Sequence, residues 1–275
     1  MNRHDAWYGH FDLLQNERRV FSDPNLDRLK TVASGFSFLF WVWLLSFPIE
    51  YSLHFAKLRY GKSVEELIHG VPDLELFWVV LFLGFTLLTA FLKTWGTWQI
   101  SRSPSKMEGH ETGIWMFISW TVGILLETCA AAAVLSFAAM HPGRTLDDGI
   151  LFDILRGVEI FGCVVQDIAG ILFFVYAFRL AALLSESRSS SALKSSVCAM
   201  GAVILSYFCL PFITIFGFGT LHESGAVFWS LAAIATGSCL WFLISLLCAY
   251  RFLAADLRRY IKTEQIKEAE RNREE

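Results

Sequence analysis

Charge is scarce in this chain. Asp, Glu, Lys and Arg make up 18% of its 275 residues, where a soluble domain carries about 25%. The formal net charge of −3 is close to neutral, so no nucleic-acid partner is implied. There is no CxxC and no Cys/His cluster, and the six cysteines (Cys129, Cys163, Cys198, Cys209, Cys239 and Cys248) all fall inside apolar runs. That leaves neither a zinc site nor a disulfide framework, and they read as small packing residues. HExxH and GxSxG are missing, which excludes a membrane metalloprotease and a nucleophile elbow. No histidine sits at the middle of an apolar run, as a b-type haem would need. The lysine deepest in one, Lys93, still stands near its end, where it cannot form a retinal Schiff base. No cofactor and no metal are expected.

Hydrophobic runs are what the chain has. It is 55% hydrophobic with 25 Phe and 10 Trp, and its mean hydropathy is +0.47. Crossing about 30 Å of hydrocarbon takes about 20 helical residues. Six segments are long enough: Thr31–Phe55, Glu75–Thr97, Gly113–Met140, Ile150–Leu184, Leu193–Gly219 and Gly225–Ala254. The expected fold is therefore all-α, a polytopic membrane bundle of six transmembrane helices in the lipid bilayer. Residues 31–255 form the spanning domain, 1–30 an N-terminal arm and 256–275 a charged C-terminal helix or tail.

The basic residues set the orientation. The N-terminal arm, the second and fourth connections and the C-terminal tail, with adjoining span ends, hold 18 of the 23 Lys and Arg. The first, third and fifth connections hold four: Lys57, Arg59, Lys62 and Arg144. By the positive-inside rule both termini are cytosolic. The opening MNRHDAWYGHFDLLQNERR mixes acidic, basic and aromatic residues, unlike a cleaved secretory signal. Trp7, Phe11 and Leu14 recur at helical spacing, as in an interfacial helix, which Asp23-Pro24 would end before the approach to the first span. Trp95, Trp98 and Trp115 read as cytosolic interface anchors.

The fourth apolar run also carries Asp153, Arg156, Glu159, Gln166 and Asp167. Ionisable groups at membrane depth cost about 2.5–3.5 kcal/mol each on insertion scales, so they face protein or water and mark function by default. On a helix Arg156 and Asp167 are about 20° apart, and Asp153, Glu159 and Gln166 fall within roughly 80° of Arg156. One polar stripe thus runs down an otherwise apolar helix. The third run adds Glu127, and the short HPGRTLDDG connection favours an antiparallel hairpin that brings Glu127 and Asp167 to similar depth. Two such carboxylates sharing a cavity cannot both stay charged cheaply, which suits exchange of protons or small cations. The structural alternative is that Arg156 clamps Glu159 or Asp167, and Glu127 bonds a neighbour, to fix helix register.

The candidate transport or ion site is accordingly Glu127, Arg156, Glu159, Gln166 and Asp167. A second candidate is an outer-face cluster of Glu50, His141, His222 and Glu223, against the alternative of surface histidines scattered by chance. Three functions fit. The first is a proton- or cation-coupled transporter or channel-like subunit, with an open polar site between the third and fourth spans. The second is a non-catalytic subunit of a larger complex, homo- or hetero-oligomeric, with those residues sealed and Phe40, Trp41 and Trp43 meeting other chains. The third is a membrane-embedded lipid- or quinone-modifying enzyme with Glu127, Asp167 or His141 as acid or base.

Overall fold

In the computed structural model, residues 23–60, 75–105, 107–140, 150–184, 187–215 and 225–274 are described. They form six helices, with no strand among them: α1 Asp23–Tyr60, α2 Glu75–Ser101, α3 His110–Met140, α4 Ile150–Leu183, α5 Ser187–Ile215 and α6 Gly225–Glu274. One helix falls on each of the six apolar segments. Among the described residues, four stretches are long and apolar enough to cross a membrane: Asn25–Ile49, His110–Ala130, Gly157–Leu183 and Ala233–Lys267.

α1 opens at Asp23-Pro24. Proline suits a first turn, because its φ is already helical and its missing N–H has no partner to lose there. The helix then runs through Pro48 to Tyr60 without a break, an arrangement that membrane helices tolerate. α6 is one helix of 50 residues. Its apolar first part passes directly into the charged DLRRYIKTEQIKEAERNRE, where Lys267 and Glu264 pair at 2.8 Å.

The chain divides into two compact units, Met1–Arg179 and Leu180–Glu275. In the first, α1 and α2 approach closely. A Cβ on Gly35 would lie 3.1 Å from the Gly96 carbonyl oxygen, and Leu39 fills the space beside Gly96. Lys93 is buried, with its ammonium 4.1 Å from the centre of the Trp43 ring. The Phe36 and Phe173 rings join α1 to α4 edge to face, 6.3 Å apart.

The turn between α2 and α3 is seated against the end of α4. Gly109 has φ of 97°, a left-handed conformation that side chains disfavour. Tyr176 of α4 is fully buried across Gly109 and Gly113, and its hydroxyl donates to the Ile100 carbonyl at 3.5 Å. Arg179 Nη1 donates to Thr112 Oγ1 at 3.4 Å.

The second unit is an antiparallel pair, α5 with α6, held by a polar ladder. The buried Ser189 hydroxyl donates to the buried Asp256 carboxylate. Farther along, Ser195 and Ser245 hydroxyls lie 2.9 Å apart, and Trp241 Nε1 donates to Ser195 Oγ at 3.0 Å.

The outside of the helices is apolar. Leu45 is 69% exposed, Phe91 64% and Ile244 59%. Such a surface matches lipid, and it also removes the usual reason for helices to associate, since hydrocarbon is as apolar as leucine. Close backbone approach at glycine and interhelical hydrogen bonds must do that work; the first unit shows both, and the second shows the hydrogen bonds.

Candidate carboxylate site

The site is built where α3 crosses α4. A Cβ on Gly123 would stand 2.9 Å from the Gly162 carbonyl oxygen, and one on Gly162 would stand 3.1 Å from the Gly123 carbonyl oxygen. A side chain on Gly123 would force the backbones apart, and one on Gly162 would be tight against the Gly123 carbonyl. Two long polar side chains lie directly over these glycines. Gln166 Cγ is 2.5 Å from the position of a Gly123 Cβ, and Glu127 Cγ is 3.0 Å from that of a Gly162 Cβ. The crossing thus seats Glu127 of α3 over Gly162 and Gln166 of α4 over Gly123, each against the other helix's backbone.

Glu127 is half-buried and accepts a hydrogen bond from the Cys163 thiol, 3.1 Å from Sγ to Oε1. Cys163 in turn is centred between two more carboxylates. Glu159 lies four residues before it and Asp167 four residues after, so the three occupy successive turns of one helix face. Both Glu159 and Asp167 are exposed. Gln166 Nε2 is buried and makes no hydrogen bond among the described residues, and Trp120 Nε1, one turn from Gly123 on α3, is in the same position. Unpaired buried donors cost about 1–3 kcal/mol each, so the two are not neutral packing.

Of the residues expected at this site, Glu127, Gln166, Glu159 and Asp167 are gathered on the α3–α4 crossing and the adjoining face of α4. The partner that Glu127 finds is neither Asp167 nor a Ser or Thr but Cys163, which composition alone had assigned to packing. The signal was present in the i, i+4, i+8 spacing of Glu159, Cys163 and Asp167. The side chain of Arg156 lies outside the described residues, as do the side chain of Glu50 and the whole of His141, His222 and Glu223. No group of three or more His, Cys, Asp or Glu that could hold a metal ion occurs among the described residues.

At the opposite end of this unit the aromatic side chains gather near basic ones. The Trp95 and Trp98 rings pack at a 40° tilt with centres 4.8 Å apart, the Arg102 guanidinium lies 3.7 Å from the centre of the Trp98 ring, and Trp115 is 60% exposed. Glu127 follows Trp115 by twelve residues, about 18 Å along the helix axis.

Comparison with known proteins finds no matching family model, no matching curated protein and no matching solved structure. What this site does must therefore be argued from its own chemistry.

Proposed function

We propose that this chain is a six-span membrane protein with both termini in the cytosol, and that its α3–α4 site exchanges a proton or a small cation, as a coupled transporter or channel-like subunit. The observation that carries this reading is the hydrogen bond from Cys163 to Glu127 across the crossing, with Glu159 and Asp167 exposed one turn to each side of Cys163. If Trp95, Trp98 and Trp115 mark the cytosolic interface, Glu127 lies beyond the midplane of a hydrocarbon layer about 30 Å thick. Carboxylates at such depth are costly unless they face water or a counter-charge, and a functional role is the default reading for them. Glu127, already hydrogen-bonded across the crossing, is the positioned acceptor. Asp167 and Glu159, exposed one turn to each side of Cys163, provide the approach.

A second reading is favoured by the exposure of Asp167 and Glu159 beside Ile160, Phe161, Val164 and Ile168, all of which are exposed. A charged stripe bordered by bare apolar side chains also suits a subunit whose α4 is covered by another chain carrying a basic residue.

Asp167→Asn separates the two. In vesicles with an imposed pH or cation gradient, the exchange reading expects wild-type flux and a fall of about a hundredfold in the variant, the lower end of what a positioned proton-transfer group contributes. The melting temperature should stay close to that of the wild type, because Asn preserves size and an exposed carboxylate has little packing to lose. If Asp167 is instead the sealed partner of a basic residue, the variant loses stability, on the order of 3–5 kcal/mol, and the wild type shows no flux.

The topology has its own test. In a background lacking the native cysteines, Asp148→Cys should react with an impermeant thiol reagent added outside intact cells, and Ser190→Cys should not. The expectation rests on the 18-to-four division of basic residues. Labelling of Ser190→Cys without labelling of Asp148→Cys reverses the orientation.

A further inference from the structure

The second unit carries a feature that the exchange site does not use. Between α5 and α6 lies an open groove of about 350 Å³ lined by Arg188, Ser191, Ser195, Ile244, Cys248 and Phe252, with Ala192 and Ser245 at its floor. Its two ends differ chemically. Arg188 and Ser191, one turn apart near the start of α5, are both exposed. Arg251 on α6 is exposed as well, and seven residues separate it from Ile244, so the two share a helix face to within about 20°. Among the described residues neither Arg188 nor Arg251 has an ion-pair partner. Moving inward from this cationic end, the wall becomes Phe252, Cys248 and Ile244, the last 59% exposed. The hydroxyls on the floor are already satisfied, because Ser195 bonds both Ser245 and Trp241. They present no unmet polar demand to a ligand, and the inner groove behaves as an apolar channel.

We propose that this groove binds one anionic phospholipid, with its phosphate held by Arg188 and Arg251 and the Ser191 hydroxyl, and an acyl chain lying along Phe252, Cys248 and Ile244. Charge complementarity selects the headgroup. A free phosphate would use the cationic end alone and would gain nothing from the apolar wall. A zwitterionic lipid would fill the channel and offer no net charge to the two guanidiniums. From Arg188 to Ser195 the groove follows seven residues of α5, about 10 Å of rise, which takes the glycerol region and the first part of one chain. The rest of that chain continues past Ile244 onto Leu240, which is 46% exposed. Arginine is suited to the headgroup role because its planar fork binds phosphate oxygens in pairs.

Native mass spectrometry of the full chain released from detergent, with equal amounts of phosphatidylglycerol and phosphatidylcholine, tests this. The wild type should retain one phosphatidylglycerol in preference to phosphatidylcholine. Arg188→Ala with Arg251→Ala should lower that preference on the order of tenfold, since each basic residue near an anionic lipid contributes on the order of a few-fold to tenfold in affinity. Arg188→Gln, which keeps the side chain's stem, should give a smaller drop. Lys194→Ala, on another face of α5, should leave the preference unchanged. Equal retention of the two lipids by the wild type, an unchanged preference in the double variant, or an equal loss with Lys194→Ala would each overturn the proposal. Displacement of the lipid by inorganic phosphate alone would also overturn it, in favour of a free anion. Neither flux nor orientation enters this measurement, so its failure would leave the exchange reading where it stood.

Discussion

Tyr176→Ala is expected to destabilise the first unit by about 3–5 kcal/mol, the range for removing a large buried aromatic side chain. Thermal melting in detergent, followed by tryptophan fluorescence, should drop by about 2–4 °C for each kcal/mol in a chain of this size. Tyr176 is fully buried, and its ring lies against the two glycines of the α2–α3 turn. Gly109 and Gly113 are spaced so that one flat ring covers both. Removing the ring leaves a cavity bounded by backbone, which cannot collapse without moving α3 relative to α4. Tyr176→Phe should cost far less, about 0.5–1.5 kcal/mol, because the hydroxyl's bond to Ile100 is long at 3.5 Å. Equal losses in the two variants would mean that the hydroxyl, not the ring, holds the turn.

Gly123→Leu should disrupt the carboxylate site itself. The nearest obstacles to a new Cβ include the Gly162 carbonyl oxygen at 2.9 Å and the Gln166 amide nitrogen at 3.1 Å. Both are backbone atoms of α4, and neither can swing aside as a side-chain tip could. The helices must separate, at a cost of about 1–3 kcal/mol and occasionally more. Separation also pulls Glu127 away from Cys163, since their hydrogen bond spans the same crossing. The expected result is a lowered melting temperature together with loss of any flux in reconstituted vesicles. Gly157→Leu, on α4 and with open space at its Cβ position, is the control and should do neither. If Gly123→Leu melts like the wild type, the close crossing is not what holds α3 on α4.

The two variants also mark what could be read from the chain before folding and what could not. The third and fourth apolar runs announce themselves by length, and Glu127, Glu159, Gln166 and Asp167 stand out because charge and amide are costly in such runs. That an acidic face of the fourth helix would gather near Glu127 follows from helical periodicity and a short connection. The partner of Glu127 did not follow. Whether Glu127 meets Asp167, a serine or Cys163 depends on where along their lengths two straight helices cross. Apolar periodicity is silent about that position, because every lipid-facing turn looks alike. The crossing is set by Gly123 and Gly162 together. Each is an ordinary glycine in its own helix, and its role exists only opposite the other.

Tyr176 illustrates the same limit. In the sequence it is one aromatic residue in the run FFVYAF, with nothing to separate it from the phenylalanines beside it. Only the arrival of the α2–α3 turn, with Gly109 in a left-handed conformation, makes it the residue on which three helices are seated. The α5–α6 ladder is likewise a tertiary product, because Ser189 and Asp256, 67 residues apart, are unremarkable polar residues until antiparallel packing buries both.

The amino-acid sequence by itself thus determined the class of the molecule. Long apolar runs admit only helices where backbone groups have no water to bond, and six such runs became six helices. Tertiary structure alone decided which polar residues became partners. In a chain whose outer surface and lipid-like surroundings are equally apolar, the hydrophobic effect cannot choose between one helix register and another. That choice passes to close contacts between backbones and to single hydrogen bonds, which no one-dimensional pattern encodes.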